Sequence, residues 1–321
     1  MKSLVKISRN IDIFSVYWTL TDFCNFKCSY CPPKLNAGNI FKTDMAPSDE
    51  KILSGLENLK TQSAGKLLSV TLSGGEPTTH SMFSKIVEYI NAIDGFTEVI
   101  TNGSRPIAWW DKLPSLPKSV VISLHPEFTD LDKINQLGLY LKSKDIILKF
   151  NLMADPEKWE WVTAVKESLD ISLHSDIDVK ILTNHGSFRD TDVVLGKHYD
   201  YEQAQLNFIK TSTLAKKEHD PREMVIGDFD DGSTSRIYSF RIVAKNLHKF
   251  TGWKCGAGRT AICISAKGMV HGGLCNVVKL GPIDKFNVLT TDTTCKFENC
   301  FRAQDISIPK YDPNFTLTQG Q

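Results

Sequence analysis

The chain has 321 residues, enough for one large α/β domain with a small appendage or for two domains. Its 41% hydrophobic and 23% charged residues are ordinary for a soluble globular protein. The formal net charge of +1 gives no strong field for nucleic acid or a membrane surface, and no apolar run approaches the roughly 20 residues of a membrane span. The N-terminus lacks the apolar region of a secretion signal, so we expect a cytoplasmic protein without a membrane partner.

Alternating and short apolar runs predict six strands separated by helices. The predicted strands cover residues 15–21, 66–72, 96–101, 118–124, 146–153 and 177–182. Helices are predicted after residue 47, after residue 77, around Trp109 and Trp110, over about 130–142 and over about 157–169. This alternation indicates an α/β fold with a parallel sheet, open or curled into a partial barrel. Ligands of such sheets bind at the carboxyl ends of the strands.

The strand–helix alternation stops after about residue 185. A polar helix is predicted over 200–219, and two hairpins are predicted over 223–240 and 261–275. We therefore predict three parts: a partial barrel over 1–185, a connecting region over 186–250 and a small C-terminal domain over 251–321.

Eight cysteines fall into two groups that lie more than 220 residues apart. Clustered cysteines in an intracellular chain are more often metal ligands or catalytic thiols than disulfides. Cys24, Cys28 and Cys31 follow the first predicted strand, with gaps of three and two residues. Three thiolates would leave one iron of a four-iron cubane open to another ligand. A zinc site is the alternative that the residues alone leave open.

This cysteine spacing, together with Gly74-Gly75-Glu76-Pro77 after the second strand, resembles the radical S-adenosylmethionine (radical SAM) enzymes. In that family three cysteines so spaced lie after the first strand of a partial (β/α)6 barrel, and an aromatic residue, here Tyr30, precedes the last one. The resemblance covers roughly residues 12–185. It implies a [4Fe-4S] cluster whose open iron binds the amino and carboxylate groups of SAM. The reduced cluster would then cleave SAM to a 5′-deoxyadenosyl radical, which abstracts hydrogen from a substrate.

The glycine-glutamate motif and the aromatic residue are the first candidate SAM contacts. Gly74 and Gly75 lack Cβ atoms and would let a ligand approach the backbone closely, although a plain turn is the alternative. Glu76 offers an acceptor for an ammonium group. Tyr30 could flank the adenine ring.

Polar residues at later strand ends complete the candidate site. Asn102, Ser123 and Asn151 could hydrogen-bond ribose or carboxylate oxygens, or they could satisfy backbone groups at turns and strand ends. His125 follows the fourth strand. It is a candidate catalytic acid–base group near neutral pH, or alternatively a hydrogen-bonded structural histidine.

Four of the remaining cysteines, Cys255, Cys275, Cys295 and Cys300, could fully ligate a second cubane or a structural zinc ion. Their region resembles the C-terminal auxiliary-cluster domains of radical SAM enzymes, called SPASM or, when shorter, twitch domains. The full SPASM pattern has seven cysteines for two clusters, and this chain has too few, which favours one auxiliary [4Fe-4S] cluster. Cys263 lies in an apolar strand and is expected to pack as a small hydrophobic residue.

We therefore expect a radical SAM enzyme of the oxidoreductase or isomerase type, supplied by an electron donor such as flavodoxin or ferredoxin. The short segment before the first strand leaves no room for a fused peptide-recognition domain. This favours a polar small-molecule or nucleotide-derived substrate over a peptide that would be crosslinked, oxidised or epimerised. Nucleic acid is disfavoured by the neutral net charge. The hypothesis from another class is a non-catalytic zinc or iron–sulfur scaffold or electron carrier.

Overall fold

The computed structural model describes residues 2–31, 46–170, 172–173, 177–182, 199–214, 221–300 and 302–315. Within these residues the strands are β1 (Leu4–Ser8), β2 (Ile13–Thr21), β3 (Leu67–Gly74), β4 (Phe96–Thr101), β5 (Ser119–Leu124), β6 (Ile147–Ala154), β7 (Ile177–Ile181), β8 (Met224–Phe229), β9 (Thr234–Tyr238), β10 (Lys254–Cys255), β11 (Ala261–Ile264), β12 (Met269–Gly272), β13 (Lys279–Pro282), β14 (Thr293–Thr294) and β15 (Lys310–Tyr311). The α-helices are α1 (Asp49–Gln62), α2 (Phe83–Ala92), α3 (Ile107–Trp110), α4 (Leu131–Ser143), α5 (Trp159–Ser168), α6 (Gln203–Leu214), α7 (Ser239–Ala244) and α8 (Ala303–Ile306). Short 3-10 helices cover Pro77–Thr79, Pro156–Lys158 and Pro221–Glu223.

The predicted parallel sheet is confirmed. Strands β2 to β7 are neighbours in chain order, and the pairs β4–β5, β5–β6 and β6–β7 are parallel. All six residues of β5 are buried, as expected for a central parallel strand covered on both faces. Each of the six strands lies within two residues of its predicted bounds.

Helix α1 begins where the polar sequence signal places it. Ser48 caps α1 by accepting a hydrogen bond from the backbone N–H of Lys51, and Asp49 and Glu50 occupy the first turn. The predicted helix over 200–219 corresponds to α6, and residues 215–219 lie outside the described residues. Residues 186–198, where the predicted connecting region begins, also lie outside them.

The chain divides into two compact units. The first unit comprises Met1–Tyr17, Ser48–Ser69 and Glu218–Gln321, and the second comprises Trp18–Pro47 and Val70–Lys217. Helix α1 belongs to the first unit because it packs on C-terminal residues: Asn58 Nδ2 donates a hydrogen bond to the Phe286 carbonyl oxygen at 3.0 Å. The division predicted at residues 185 and 250 stays a prediction, since these units are assembled from separate stretches of chain.

The first unit contains a sheet with the strand order β14-β10-β15-β1-β8-β9. Both predicted hairpins are confirmed: β8 pairs antiparallel with β9, and β11 pairs antiparallel with β12. Gly232 and Gly268 occupy their turns with positive φ angles of 78° and 71°, which glycine adopts without strain. The apolar core of this unit is formed by Leu4, Ile7, Val225, Phe229, Ile237, Ile242, Phe250, Trp253 and Ile306.

In the described part of the chain, no helix has both the length and the apolar character that a membrane crossing requires.

Candidate cofactor site

The three-cysteine loop follows β2 in the second unit. Cys28 is buried, while Cys24 and Cys31 are partly exposed. Burial raises the pKa of the Cys28 and Cys31 thiols to about 12. Without a metal these groups are therefore protonated at neutral pH, and a metal would bind them with release of protons. All eight cysteines lie among the described residues, and no disulfide joins any of them.

Gly74 and Gly75 lie against the start of this loop. The Gly75 backbone N–H donates to the Thr21 carbonyl oxygen at 2.7 Å, and the Glu76 N–H donates to the Phe23 carbonyl oxygen at 2.7 Å. A Cβ atom on Gly75 would lie 2.1 Å from that Phe23 oxygen. Glycine is therefore required here by the close approach of two backbone segments. Contact of these glycines with a ligand stays a prediction.

The Glu76 carboxylate is fully buried and accepts four hydrogen bonds from the protein. Its donors are the Thr78 N–H at 3.1 Å, the Thr78 hydroxyl at 2.6 Å, the Thr101 hydroxyl at 2.8 Å and the Asn102 N–H at 2.7 Å. Burial raises the pKa of Glu76, and these donors oppose the increase. The side chain thus joins the segment after β3 to the end of β4. The expected contact of Glu76 with an ammonium group stays a prediction.

Asn102 faces the cysteine loop. Its Nδ2 donates to Asn25 Oδ1 at 2.9 Å and lies 3.7 Å from Cys24 Sγ. The Phe26 N–H also points at Cys24 Sγ, at 3.4 Å. Hydrogen bonds to a ligating sulfur orient it and influence the reduction potential of an iron–sulfur cluster. Asn102 also accepts from the Ser104 N–H at 3.0 Å, so it performs the turn role as well.

Ser123 and Asn151 lie side by side. The parallel register pairs Ser123 with Asn151 and Asn151 with Asp178, so these three residues form one row on one face of the sheet. Neither the Ser123 nor the Asn151 side chain hydrogen-bonds another residue that the structure describes. Their assignment to ribose or carboxylate oxygens stays a prediction.

His125 is held by Tyr30. The Tyr30 Oη and His125 Nδ1 atoms lie 2.7 Å apart, and the two rings are stacked with centroids 6.0 Å apart. Burial lowers the pKa of His125 to about 4, so the imidazole is neutral at pH 7. The catalytic role of His125 and the contact of Tyr30 with adenine both stay predictions.

The low pKa of His125 predicts a pH-dependent stability. The folded pKa of about 4 lies below the ordinary value of 6.5, so the unfolded chain binds more protons between these values. The contribution of the neutral His125 to the free energy of unfolding is fully present above pH 6.5. It is lost progressively as the pH falls toward 4. Because of this residue, we expect the free energy of unfolding of the metal-free protein to fall by about 2 kcal/mol between pH 7 and pH 5. Urea unfolding at both pH values measures it, and a His125→Gln variant with the same pH dependence as wild type would contradict it.

Strands of the second unit carry two ion pairs, and the sequence analysis missed the first of them. Glu98 lies 3.7 Å from Lys149 Nζ and accepts hydrogen bonds from the Thr71 and Ser119 hydroxyls. Asp178 and Lys180 form a second ion pair. The available signal was the presence of charged residues within strands that are otherwise buried.

In the first unit, four of the C-terminal cysteines influence one another. Burial raises the pKa of Cys275, and the Cys255 and Cys300 thiols raise it further. Cys300 has a pKa of about 12, raised by burial and also by Cys255 and Cys295. Cys263 is buried in β11, and its charged neighbours are Asp305 and Arg302 rather than the other cysteines. Among the described residues, no three His, Cys, Asp or Glu side chains converge closely enough to hold a single metal ion.

Lys310 is a buried ammonium group beside these cysteines. It is 3% exposed, and its Nζ donates to the carbonyl oxygens of Asp305 at 2.6 Å and Ile306 at 3.3 Å. Its charge lowers the pKa of Cys255 and Cys300, opposing the larger effect of burial. Lys310 therefore provides a positive charge that would partly compensate the negative charge of thiolates at these cysteines. The sequence contains no local signal for this role, because the residue lies in a tail without a recognisable pattern.

Comparison with known proteins shows what part of this chain is similar to. Residues 18–148 match the family model of the Radical SAM superfamily. GTP 3′,8-cyclase of Lactiplantibacillus plantarum is 37% identical over 87 residues, which are 26% of this chain and 25% of that protein. GTP 3′,8-cyclase of Haemophilus influenzae is 30% identical over 136 residues, 40% of this chain and 39% of that protein. The chain thus spans a quarter of the length of the first of these relatives.

Solved structures support the same fold. Native anSMEcpe with bound AdoMet gives a TM-score of 0.53 at 14% identity, covering 85% of this chain and 79% of that one. Streptococcus suis SuiB bound to precursor peptide SuiA gives 0.51 at 14% identity, covering 86% and 64%. The α/β fold with its parallel sheet therefore resembles the partial TIM barrel of radical SAM enzymes. The match to the Radical SAM superfamily covers residues 18–148 of the chain.

Proposed function

We propose that this protein is an enzyme that cleaves SAM reductively at a [4Fe-4S] cluster held by Cys24, Cys28 and Cys31. The observation that carries the proposal is the backbone packing of this loop against Gly74 and Gly75 inside the radical SAM segment. The donor set fits the group, since three thiols lie in one loop and two N–H donors point at the first of them. When bound, the cluster and SAM together supply a 5′-deoxyadenosyl radical for hydrogen abstraction.

The residues of the second unit would bind and orient SAM. Asn102 orients Cys24, while the adjacent Ser123 and Asn151 offer a hydroxyl and an amide to ribose or carboxylate oxygens. Tyr30, anchored by His125, presents its ring beside the third cysteine and would flank the adenine. Glu76 keeps the strand ends together and so maintains the distance between the cysteine loop and Asn102.

We propose a polar small-molecule or nucleotide-derived substrate. The support is the identity with GTP 3′,8-cyclases and the two ion pairs formed by Glu98, Lys149, Asp178 and Lys180. These charged side chains offer hydrogen-bond donors and acceptors to a polar ligand. The second candidate is a peptide substrate, favoured by the structural similarity to SuiB bound to its precursor peptide.

The test is SAM cleavage by anaerobically reconstituted protein under a strong reductant. Brown protein that releases 5′-deoxyadenosine supports the proposal, and deuterium transfer from labelled candidate substrates into 5′-deoxyadenosine identifies the substrate. Candidate nucleotides and candidate peptides should be assayed in parallel, because transfer from one class alone decides between them. Colourless protein with bound zinc and no SAM cleavage would instead establish the scaffold hypothesis.

We further propose an auxiliary [4Fe-4S] cluster on Cys255, Cys275, Cys295 and Cys300, in a SPASM- or twitch-like region. Four mutually interacting thiols and the adjacent Lys310 support it, because a fully thiolate-ligated cubane carries net negative charge. This cluster would assist substrate oxidation or binding, and an electron donor such as flavodoxin or ferredoxin would reduce the enzyme. A cytoplasmic location belongs to the same proposal.

Replacing Cys275 tests the auxiliary cluster. We expect Cys275→Ala to lose about four of about eight irons per chain while still cleaving SAM. Cys263→Ala is the matched control, since it removes another thiol of this unit, and it should keep the wild-type iron content. Iron and zinc are measured by elemental analysis. Unchanged iron in Cys275→Ala, or zinc in place of iron, would contradict the auxiliary cluster.

A further inference from the structure

A short turn after β5 contacts the three-cysteine loop on several sides. We call residues 125–129 the clamp turn. It is closed by its own hydrogen bonds: the Thr129 N–H donates to the His125 carbonyl oxygen at 2.9 Å, and the His125 N–H donates to the Thr129 hydroxyl at 2.7 Å. Because the turn directly follows a fully buried strand, it is a firm base for contacts to a loop without regular structure.

Glu127 in the clamp turn binds Ser29 of the cysteine loop. The Ser29 N–H donates to both carboxylate oxygens, at 3.2 Å and 3.1 Å. The Ser29 hydroxyl donates to Oε1 at 2.5 Å. Hydrogen bonds to an ionised carboxylate are about twice as strong as neutral ones. Ser29 lies between Cys28 and Cys31, so this contact restrains the segment that joins the second and third ligands.

Two further side chains of the clamp turn hold the rest of the loop. Phe128 stacks on Phe26 with ring centroids 5.1 Å apart, and Phe26 lies between the first and second cysteines. His125 contacts Tyr30, as described above. Both gaps between the cysteines are therefore held from the same turn, and Glu127 supplies the charged contact.

The charge of Glu127 also reaches the ligand side chains. Its carboxylate accepts from the N–H of Ser29, the residue that directly follows Cys28, so its negative charge lies close to a proposed ligand. A fixed negative charge near an iron–sulfur cluster disfavours addition of an electron and lowers the reduction potential. A loop ordered before metal uptake also avoids the entropy cost of ordering it on binding.

We propose that Glu127 is a positioning residue that orders the three-cysteine loop before metal binds and lowers the reduction potential of the cluster bound there. The first part concerns the metal-free protein alone. The second part rests on the proposed function, because it requires the cluster.

The metal-free protein tests the first part. Hydrogen–deuterium exchange is followed in peptides covering residues 24–31 of wild type, Glu127→Ala, Glu127→Gln and Glu88→Gln. We expect Glu127→Ala to increase exchange at the Ser29 amide about tenfold or more, since the bond to a charged acceptor is lost. Glu88→Gln alters an exposed carboxylate of α2 and should match wild type. Equal exchange in Glu127→Ala and wild type would overturn the ordering role.

The reconstituted protein tests the second part. The signal used is the electron paramagnetic resonance of the reduced cluster that changes when SAM is added. We expect Glu127→Gln to keep the iron content of wild type and to titrate at a higher reduction potential. Iron content distinguishes this shift from simple loss of structure, and a potential equal to that of wild type would overturn the electrostatic role. Wild-type protein that takes up no iron would refute the proposed function, while the exchange experiment would still decide whether Glu127 orders the loop.

Discussion

Cys28→Ala is expected to abolish SAM cleavage and to lower the iron content by about four per chain. Cys28 is the buried member of the three-cysteine loop, and its loss leaves two thiols, too few to hold a cubane with one open iron. The measurements are 5′-deoxyadenosine release under reductant and iron per chain after anaerobic reconstitution.

Cys275→Ala is the informative comparison for this variant. Both substitutions remove one proposed ligand, yet only Cys28→Ala should abolish SAM cleavage, because the two cysteines belong to different proposed sites. Retention of full SAM cleavage by Cys28→Ala would refute the assignment of this loop. Equal loss of cleavage in both variants would show that the two sites do not act separately.

Gly75→Ala is expected to have the second largest effect, although the substitution adds only one methyl group. The new Cβ would lie 2.1 Å from the Phe23 carbonyl oxygen and 2.9 Å from the Cys24 backbone nitrogen. One of the two segments must move, which breaks the backbone hydrogen bonds between them and displaces the first cysteine. Overpacking typically costs about 1–3 kcal/mol, and we expect the upper end here because backbone atoms are involved. Urea unfolding and iron content after reconstitution measure the two consequences.

Gly232→Ala is the matched control for Gly75→Ala. Gly232 lies in a hairpin turn with φ of 78° and has nothing within 4 Å of an added Cβ. Its replacement should cost about 1 kcal/mol through backbone strain and leave the iron content unchanged. The interpretation of Gly75 as a contact residue of the cysteine loop would be wrong if both variants retained wild-type iron.

Local patterns in the sequence were sufficient to predict the parallel sheet and the first cofactor loop. A strand such as β5 is rich in apolar residues, because both faces of a parallel sheet are buried. The cysteine loop is equally local, since the three proposed ligands lie within eight residues. The carboxyl ends of neighbouring parallel strands meet at one edge, so the row of Ser123 and Asn151 also followed from chain order.

Contacts between distant residues were decided only by the tertiary structure. The Glu76 carboxylate accepts hydrogen bonds from Thr78, Thr101 and Asn102, of which the last two lie about 25 residues away in the chain. Burial lowers the pKa of His125 to about 4, and its hydrogen-bond partner Tyr30 lies 95 residues away in the chain. Such partners are set by packing, and no local pattern encodes them.

The sequence by itself therefore determined the elements, the order of the strands and the ligands of the first proposed cluster, because periodicity and spacing are properties of short segments. Only the tertiary structure decided that α1 belongs with the C-terminal residues, that Glu127 holds Ser29 and that Lys310 lies beside Cys255. The physical reason is that burial and electrostatic interactions depend on which side chains the fold brings together. Those side chains can be far apart in the sequence, so a local pattern does not reveal them.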